Sequence, residues 1–292
     1  MAETQAGSTV PRRQLGRYLR DLRVAAGLTA RAAARELERS EPTLWRIENG
    51  HTATRSLDVE QMCRLYGADQ DLTKALMALA KETRARGWWQ AYGDVVPDWL
   101  DLYIGLEAAA TRLDWYETEL VPGVFQTEDY ARALIQLDNA DKSAEEIARR
   151  HQLRMGRQAI LRRPIDPPLL RVALRESVLR APVGGREVMA AQLGKLAEAS
   201  GLPNVSIRVV PFGAGLHFGI LSGAFEILRF PVNGSGEDTE PPTVYAELFT
   251  GALFLDKPHE IAHYDQAFGA IWEAALDEEA SRERLHNAAE EW

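Results

Sequence analysis

The stretch Ser40-Glu41-Pro42-Thr43-Leu44-Trp45-Arg46 sets side chains that can read base edges close together on a short helix. An arginine there donates two parallel hydrogen bonds to guanine O6 and N7, and a glutamate accepts from cytosine N4. Arg46 and Glu41 are placed for those two roles, and Thr43 suits a thymine methyl or a phosphate. Each has a plainer use as well. Glu41 complements a helix dipole, and Arg46 can pair with a surface carboxylate. Trp45 either packs against a DNA backbone or covers a domain contact. Around this set, Thr29 and Arg31 open a preceding helix whose N-terminus suits a phosphate. Asn49, Gly50, His51 and Thr52 leave the second helix where a phosphate lies in this kind of readout.

Two further sets have ligand-binding character. His259-Glu260-Ile261-Ala262-His263 matches HExxH, which puts two imidazoles on one helix face with a glutamate as general base of a zinc peptidase. Here it begins just after Pro258, at a helix start, and any third ligand must come from elsewhere: His217 could join the set, and Glu273 and Glu278 are only surface-helix candidates. The other set is Arg150, Arg154 and Arg157, one helix face at i, i+4, i+7. Such a stripe receives an acidic partner or anion, or is a solvated face paired with Glu145, Glu146 or Glu176. No glycine-rich phosphate loop and no nucleophile elbow occurs. A non-enzyme without cofactor or metal is therefore expected.

The elements that must position the first set are written in local signals. Thr29 is an N-cap candidate ahead of Ala30–Glu38, with Ala33, Ala34 and Leu37 on one face. Ser40 caps a second short helix, Pro42 sits in its first turn, Leu44 and Ile47 face inward, and Gly50 stops it. Two such helices with a tight turn form a helix-turn-helix, which lays its second helix in the major groove. Leu15, Leu19 and Leu22 stripe a helix before the pair. Leu57, Met62, Leu65 and Tyr66 mark one after it, and Leu72, Leu76 and Leu79 another. Cys63, the single cysteine, excludes an intramolecular disulfide and falls at a core position.

Charge agrees locally. The chain of 292 residues is formally −9, yet residues 1–90 hold 15 Lys/Arg against 11 Asp/Glu, +4, and the remainder 19 against 32, −13. The basic portion can neutralise phosphates, with affinity falling steeply in salt. No run approaches a membrane span and the N-terminus has no signal-like apolar region, so a cytoplasmic protein is expected.

This helical order resembles the lambda-repressor-like, xenobiotic-response-element type of DNA-binding domain. Leu22-Arg23, Gly27-Leu28-Thr29, Ala34, Leu37, Ser40, Leu44, Arg46-Ile47-Glu48 and Gly50 carry the resemblance. Ala30, where the family favours Gln, and Trp45, where it favours a small polar residue, depart from it. The resemblance implies a double-stranded DNA operator as partner, and palindromic operators suit a homodimer.

Residues 1–11 read as a disordered arm, 12–86 as the all-α DNA-binding domain and 87–97, with Trp88 and Trp89, as a junction. Residues 98–292 read as an α+β regulatory and dimerisation domain with a partly antiparallel sheet and no regular βαβ rhythm. Helices are expected at 98–108, 126–137, 143–162, 185–200, 257–276 and 278–290. Strands are expected at 111–119, 169–174, 205–210, 224–230 and 243–249. A ligand pocket lined by Trp115, Tyr116, Phe125 and Tyr130 is the alternative to these aromatics forming core. Its motifs are Val121 to Arg132, Arg154-xx-Arg157-Gln158, Arg175-Glu176, Pro182 to Gly185, Met189-xx-Gln192-Leu193, Pro211-Phe212-xx-Gly215-x-His217 and Val244-Tyr245-x-Glu247. Together they resemble the uncharacterised domain behind the same helix-turn-helix in WhiJ-like actinobacterial regulators. That resemblance implies a transcription regulator modulated by a small acidic partner protein.

Overall fold

The computed structural model describes residues 10–50, 52–82, 91–92, 95, 98–163, 166–232, 238 and 240–292. Residues 1–9 of the expected 1–11 arm, the tryptophans of the junction, His51 and the Asn233-to-Gly236 turn lie outside the described residues, whereas residues 10 and 11 of that arm begin a helix. The chain divides into two compact units, Met1–Ala109 and Ala110–Trp292. The sequence-based boundary at residue 98 lies one helix ahead of that division.

The first unit is helical among its described residues. Helix α1 spans Val10–Ala25, α2 Ala30–Glu36, α3 Glu41–Glu48, α4 Ser56–Tyr66, α5 Gln70–Glu82 and α6 Asp98–Ala109. Its core collects the apolar stripes that the 3.6-residue period sets on each helix. Leu15 and Leu19 come from α1, Ala33 and Ala34 from α2 and Leu44 from α3. Val59, Met62, Cys63 and Tyr66 come from α4, and Leu76 and Ala80 from α5. Small residues let the helices close up. A Cβ on Gly16 would lie 2.6 Å from the Ile47 carbonyl oxygen and 2.7 Å from that of Glu48, so α1 crosses α3 backbone to backbone. Gly67 ends α4 in the left-handed conformation at φ 74°, where a side chain is strained.

The second unit is built on one six-stranded sheet. Strand β1 is Arg112–Glu117, β2 Leu169–Arg175, β3 Val205–Val210, β4 Phe225–Arg229, β5 Thr243–Leu248 and β6 Gly251–Leu255, in the order β3-β2-β1-β4-β5-β6. β1, β2 and β3 run parallel, while β4, β5 and β6 continue antiparallel from β1. The expectation of a partly antiparallel sheet holds. The expectation of no βαβ rhythm does not. Parallel neighbours need crossover connections, and α7 (Glu128–Asp138) with α8 (Ala144–Arg157) supplies the first and α9 (Arg186–Ala199) the second. The expected 143–162 helix breaks at Arg157 into a 3-10 turn over Gln158–Arg162. Short α10 (Gly219–Ser222) and strand β6 are additions.

One face of the sheet packs on α11, Pro258–Ala274. Tyr116, Ala173, Phe225, Ile227 and Val244 meet Ile261, Ala267, Phe268 and Ile271 there. Strand alternation sends Leu113, Trp115, Val172 and Leu174 to the other face, where they are buried too. Helix α12, Glu278–Glu291, closes the β3 edge. Leu276 donates its N–H to the Val209 carbonyl at 2.8 Å, and Val209 donates to Ser281 Oγ at 2.9 Å.

Candidate nucleic-acid interface

The local signals place the helix pair as read from the sequence. Thr29 Oγ1 accepts from the Ala32 N–H at 3.1 Å, and Ser40 Oγ accepts from the Thr43 N–H at 3.2 Å. Each satisfies one of the donors a helix start leaves free. Pro42 occupies the first turn of α3, where a missing N–H costs nothing. Gly50 leaves α3 at φ 71° and lies against the Arg13 backbone. The turn between α2 and α3 includes Glu38 at φ 52° and is tied by the Arg39–Asp58 pair at 2.8 Å.

The outward face of α3 carries the candidate recognition residues. Glu41 and Pro42 are exposed, Thr43 and Arg46 are half-buried, and Trp45 is 56 % exposed. Positions 42, 45, 46 and 49 share a face by the i, i+3, i+4, i+7 rule. Asn49 turns back instead, donating from Nδ2 to the Trp45 carbonyl at 2.8 Å, so its side chain helps to end the helix. Thr43 Oγ1 and Ser40 Oγ lie 2.8 Å apart. Arg31 is exposed in the first turn of α2. The Thr52 hydroxyl oxygen is buried and has no hydrogen-bond partner among the described residues.

What holds α3 in place was not visible in the sequence. Arg23, in the last turn of α1, donates from Nε to Glu48 Oε1 at 2.6 Å and from Nη2 to Oε2 at 2.8 Å. Its Nη1 donates to the Leu28 carbonyl at 2.8 Å. Glu48 is 4 % exposed, so this is a buried bidentate pair between the helix before the motif and the end of the recognition helix. Its hydrogen bonds to Glu48 raise the Arg23 pKa. Burial, with the negative Glu48 beside it, raises that of Tyr66. Arg23 and Glu48 thus tie the C-terminal end of α3 to α1.

The candidate sets of the second unit fall elsewhere. Tyr116, Phe125 and Tyr130 are fully buried and Trp115 is 7 % exposed, so these aromatics are core. Arg154 donates to Gln126 Oε1 at 3.2 Å, Arg157 lies 3.3 Å from where a Gly123 Cβ would sit, and Arg150 has a buried Nε. The stripe is half-buried rather than solvated, and desolvation, then the neighbouring Arg157, lowers the Arg154 pKa. Gln126 is the hub of that region. Its carbonyl accepts from Gln158 Nε2 at 2.6 Å and Lys195 Nζ at 2.8 Å, and its amide donates to the Val121 carbonyl at 2.8 Å. Gln192 ties both flanks, donating to the Phe125 carbonyl and accepting from the Thr127 N–H. Glu176 likewise accepts from the Phe212 N–H at 2.9 Å and pairs with Arg284. Many motifs of this unit are therefore internal braces. In the HExxH string, His259 and His263 are exposed and Glu260 lies 3.7 Å from Lys257 Nζ. Among the described residues no group of three His, Cys, Asp or Glu is arranged to hold a metal ion.

Comparison with known families gives two matches. A family described as a helix-turn-helix domain matches residues 14–76, and one described as a domain of unknown function, DUF5753, matches residues 100–287. No curated protein and no solved structure matches the chain. The second match spans well over half of the sequence, and the chain belongs to the DUF5753 family, here carried behind a helix-turn-helix domain.

Proposed function

We propose that the protein is a sequence-specific transcription regulator that reads a double-stranded DNA operator with α3. The observation carrying this reading is the capped α2–turn–α3 unit, with Glu41, Pro42, Trp45 and Arg46 on its outer face and its far end fixed by the Arg23–Glu48 pair. Arg46 is the base-reading residue, bidentate to a guanine. Thr29, Arg31 and Ser40 stand at helix starts facing phosphate. The protein acts as a homodimer, because one recognition helix reads only a short half-site and two-fold symmetry doubles it. The second unit supplies dimerisation and the surface on which a regulatory protein, a small acidic one, acts.

The test is a mobility-shift titration of the full chain on its own promoter. Arg46→Ala should weaken specific binding by about 1–3 kcal/mol, roughly 5- to 150-fold. Arg132→Ala is the control, since Arg132 is an exposed residue of α7 that pairs with Asp129. Equal binding by wild type and Arg46→Ala would remove Arg46 from the interface. Equal affinity for a scrambled duplex would remove sequence specificity altogether.

A further inference from the structure

The α11 face of the sheet gathers four arginines around one buried carboxylate. Arg112 of β1, Arg171 of β2, Arg208 of β3 and Arg229 of β4 alternate onto the same side as Asp114. Asp114 is 1 % exposed, lies 3.0 Å from Arg112 Nη2, and is 3.6 Å from the Nε of both Arg171 and Arg229. The two longer contacts are ion pairs without a hydrogen bond. Arg229 also pairs with Asp265 of α11. Arg171 and Arg208 lie over the Trp272 ring, 4.6 and 4.5 Å from its centroid, and Arg171 is 4.9 Å from that of Phe268. Glu278 stands at the rim, accepting from Ser206 Oγ at 2.6 Å.

Two observations show that this cluster is short of negative charge. The Nε atoms of Arg171, Arg208 and Arg229 are buried without a hydrogen-bond partner among the described residues, and a buried donor left unmade is costly. The guanidiniums also oppose one another. Burial lowers the Arg171 pKa first, Arg112, Arg208 and Arg229 lower it further, and Asp114 alone raises it. Set against Asp114 and Asp265, the carboxylates that pair with them, the four arginines leave a net +2, which the rim Glu278 reduces to +1. A phosphate monoester carries about −1.5 to −2 at pH 7 and presents three acceptor oxygens. The guanidinium fork matches that geometry. Arg112, Arg171 and Arg229 are 37 %, 31 % and 28 % exposed, so an anion reaches them from solvent.

We propose that Arg112, Arg171, Arg208 and Arg229 form a binding site for a small phosphate-bearing anion in the second unit. The site is separate from α3 and does not depend on the DNA-reading role. The full chain is melted while inorganic phosphate, or adenosine monophosphate, is titrated against sodium chloride of equal ionic strength. Phosphate should raise the midpoint saturably by several degrees, and chloride should not. Arg171→Gln and Arg208→Gln should each weaken the apparent affinity about tenfold or more. Among the described residues Arg208 forms no ion pair with Asp114, so its variant serves even where Arg171→Gln fails to fold. Isothermal titration of wild type with the same two anions reads binding directly. Tighter binding of the monophosphate assigns a phosphate ester, and equal binding assigns the bare anion. No saturable effect in wild type, or the same effect in both variants, overturns the proposal. So does loss in those variants of double-stranded DNA binding with no response to either small anion.

Discussion

At the level of single residues, the Arg23–Glu48 pair decides how well α3 is held. A buried ion pair is worth little over an apolar replacement of the same shape, but removing one partner strands a charge and costs about 3–5 kcal/mol. Arg23→Met should therefore lower urea-unfolding stability by that amount, whereas Arg23→Met/Glu48→Leu should recover most of it. A single variant as stable as wild type would show that the pair bears no load. Neither residue announced this role in the sequence. They are 25 positions apart, and a charge at a helix end reads as surface. Cys63, by contrast, read correctly as core from its helical spacing alone. Glu117 gives a pH prediction of the same kind. Burial, with Glu247 nearby, pushes its pKa up from 4.5 to about 8, against the Trp115 Nε1–H that donates to it at 3.1 Å. The folded chain then keeps a proton that the unfolded chain releases. Its contribution is present below about pH 4.5 and is lost as pH rises toward 8. The thermal midpoint should decline across that window, and Glu117→Gln should flatten the decline; parallel curves for the two proteins would refute the assignment.

At the level of elements, what was legible was local. Thr29, Ser40, Pro42 and Gly50 mark α2 and α3 because caps and stops act within one turn. Thr29→Ala and Ser40→Ala should each cost about 1 kcal/mol, measured by chemical denaturation. A cap that only touched phosphate would show no such loss in free protein. The sheet was less legible. Strand β6, Gly251–Leu255, is a short apolar run without alternation, which periodicity cannot separate from helix. The crossover between β1 and β2 holds two helices and two 3-10 turns, so no βαβ rhythm surfaces in sequence although the strands are parallel. The stripe of Arg150, Arg154 and Arg157 has the spacing of an exposed face. Only the tertiary placement of Gln126 and Gly123 shows that it turns inward.

For the whole molecule, the unequal charge of its two parts governs binding to a polyanion. The +4 of residues 1–90 draws the helix-turn-helix portion of the chain to phosphate, while the −13 of residues 91–292 opposes approach of the rest. Each phosphate neutralised by a cation releases counterions, so log affinity falls linearly with log salt, with a slope of about −0.9 per contact. Arg31 and Arg46 then separate cleanly. Arg31, exposed in the first turn of α2, contacts phosphate in the proposed reading. Arg31→Ala should weaken operator and scrambled duplex alike and make the salt slope shallower by about 1. Arg46→Ala should instead erode the difference between the two duplexes and move the slope less. Affinities of wild type and both variants measured from about 50 to 200 mM salt on both duplexes give all six slopes. If Arg31→Ala narrows the specificity ratio while leaving the slope unchanged, base and phosphate roles have been exchanged. The register of α3 in the groove then needs turning about its axis.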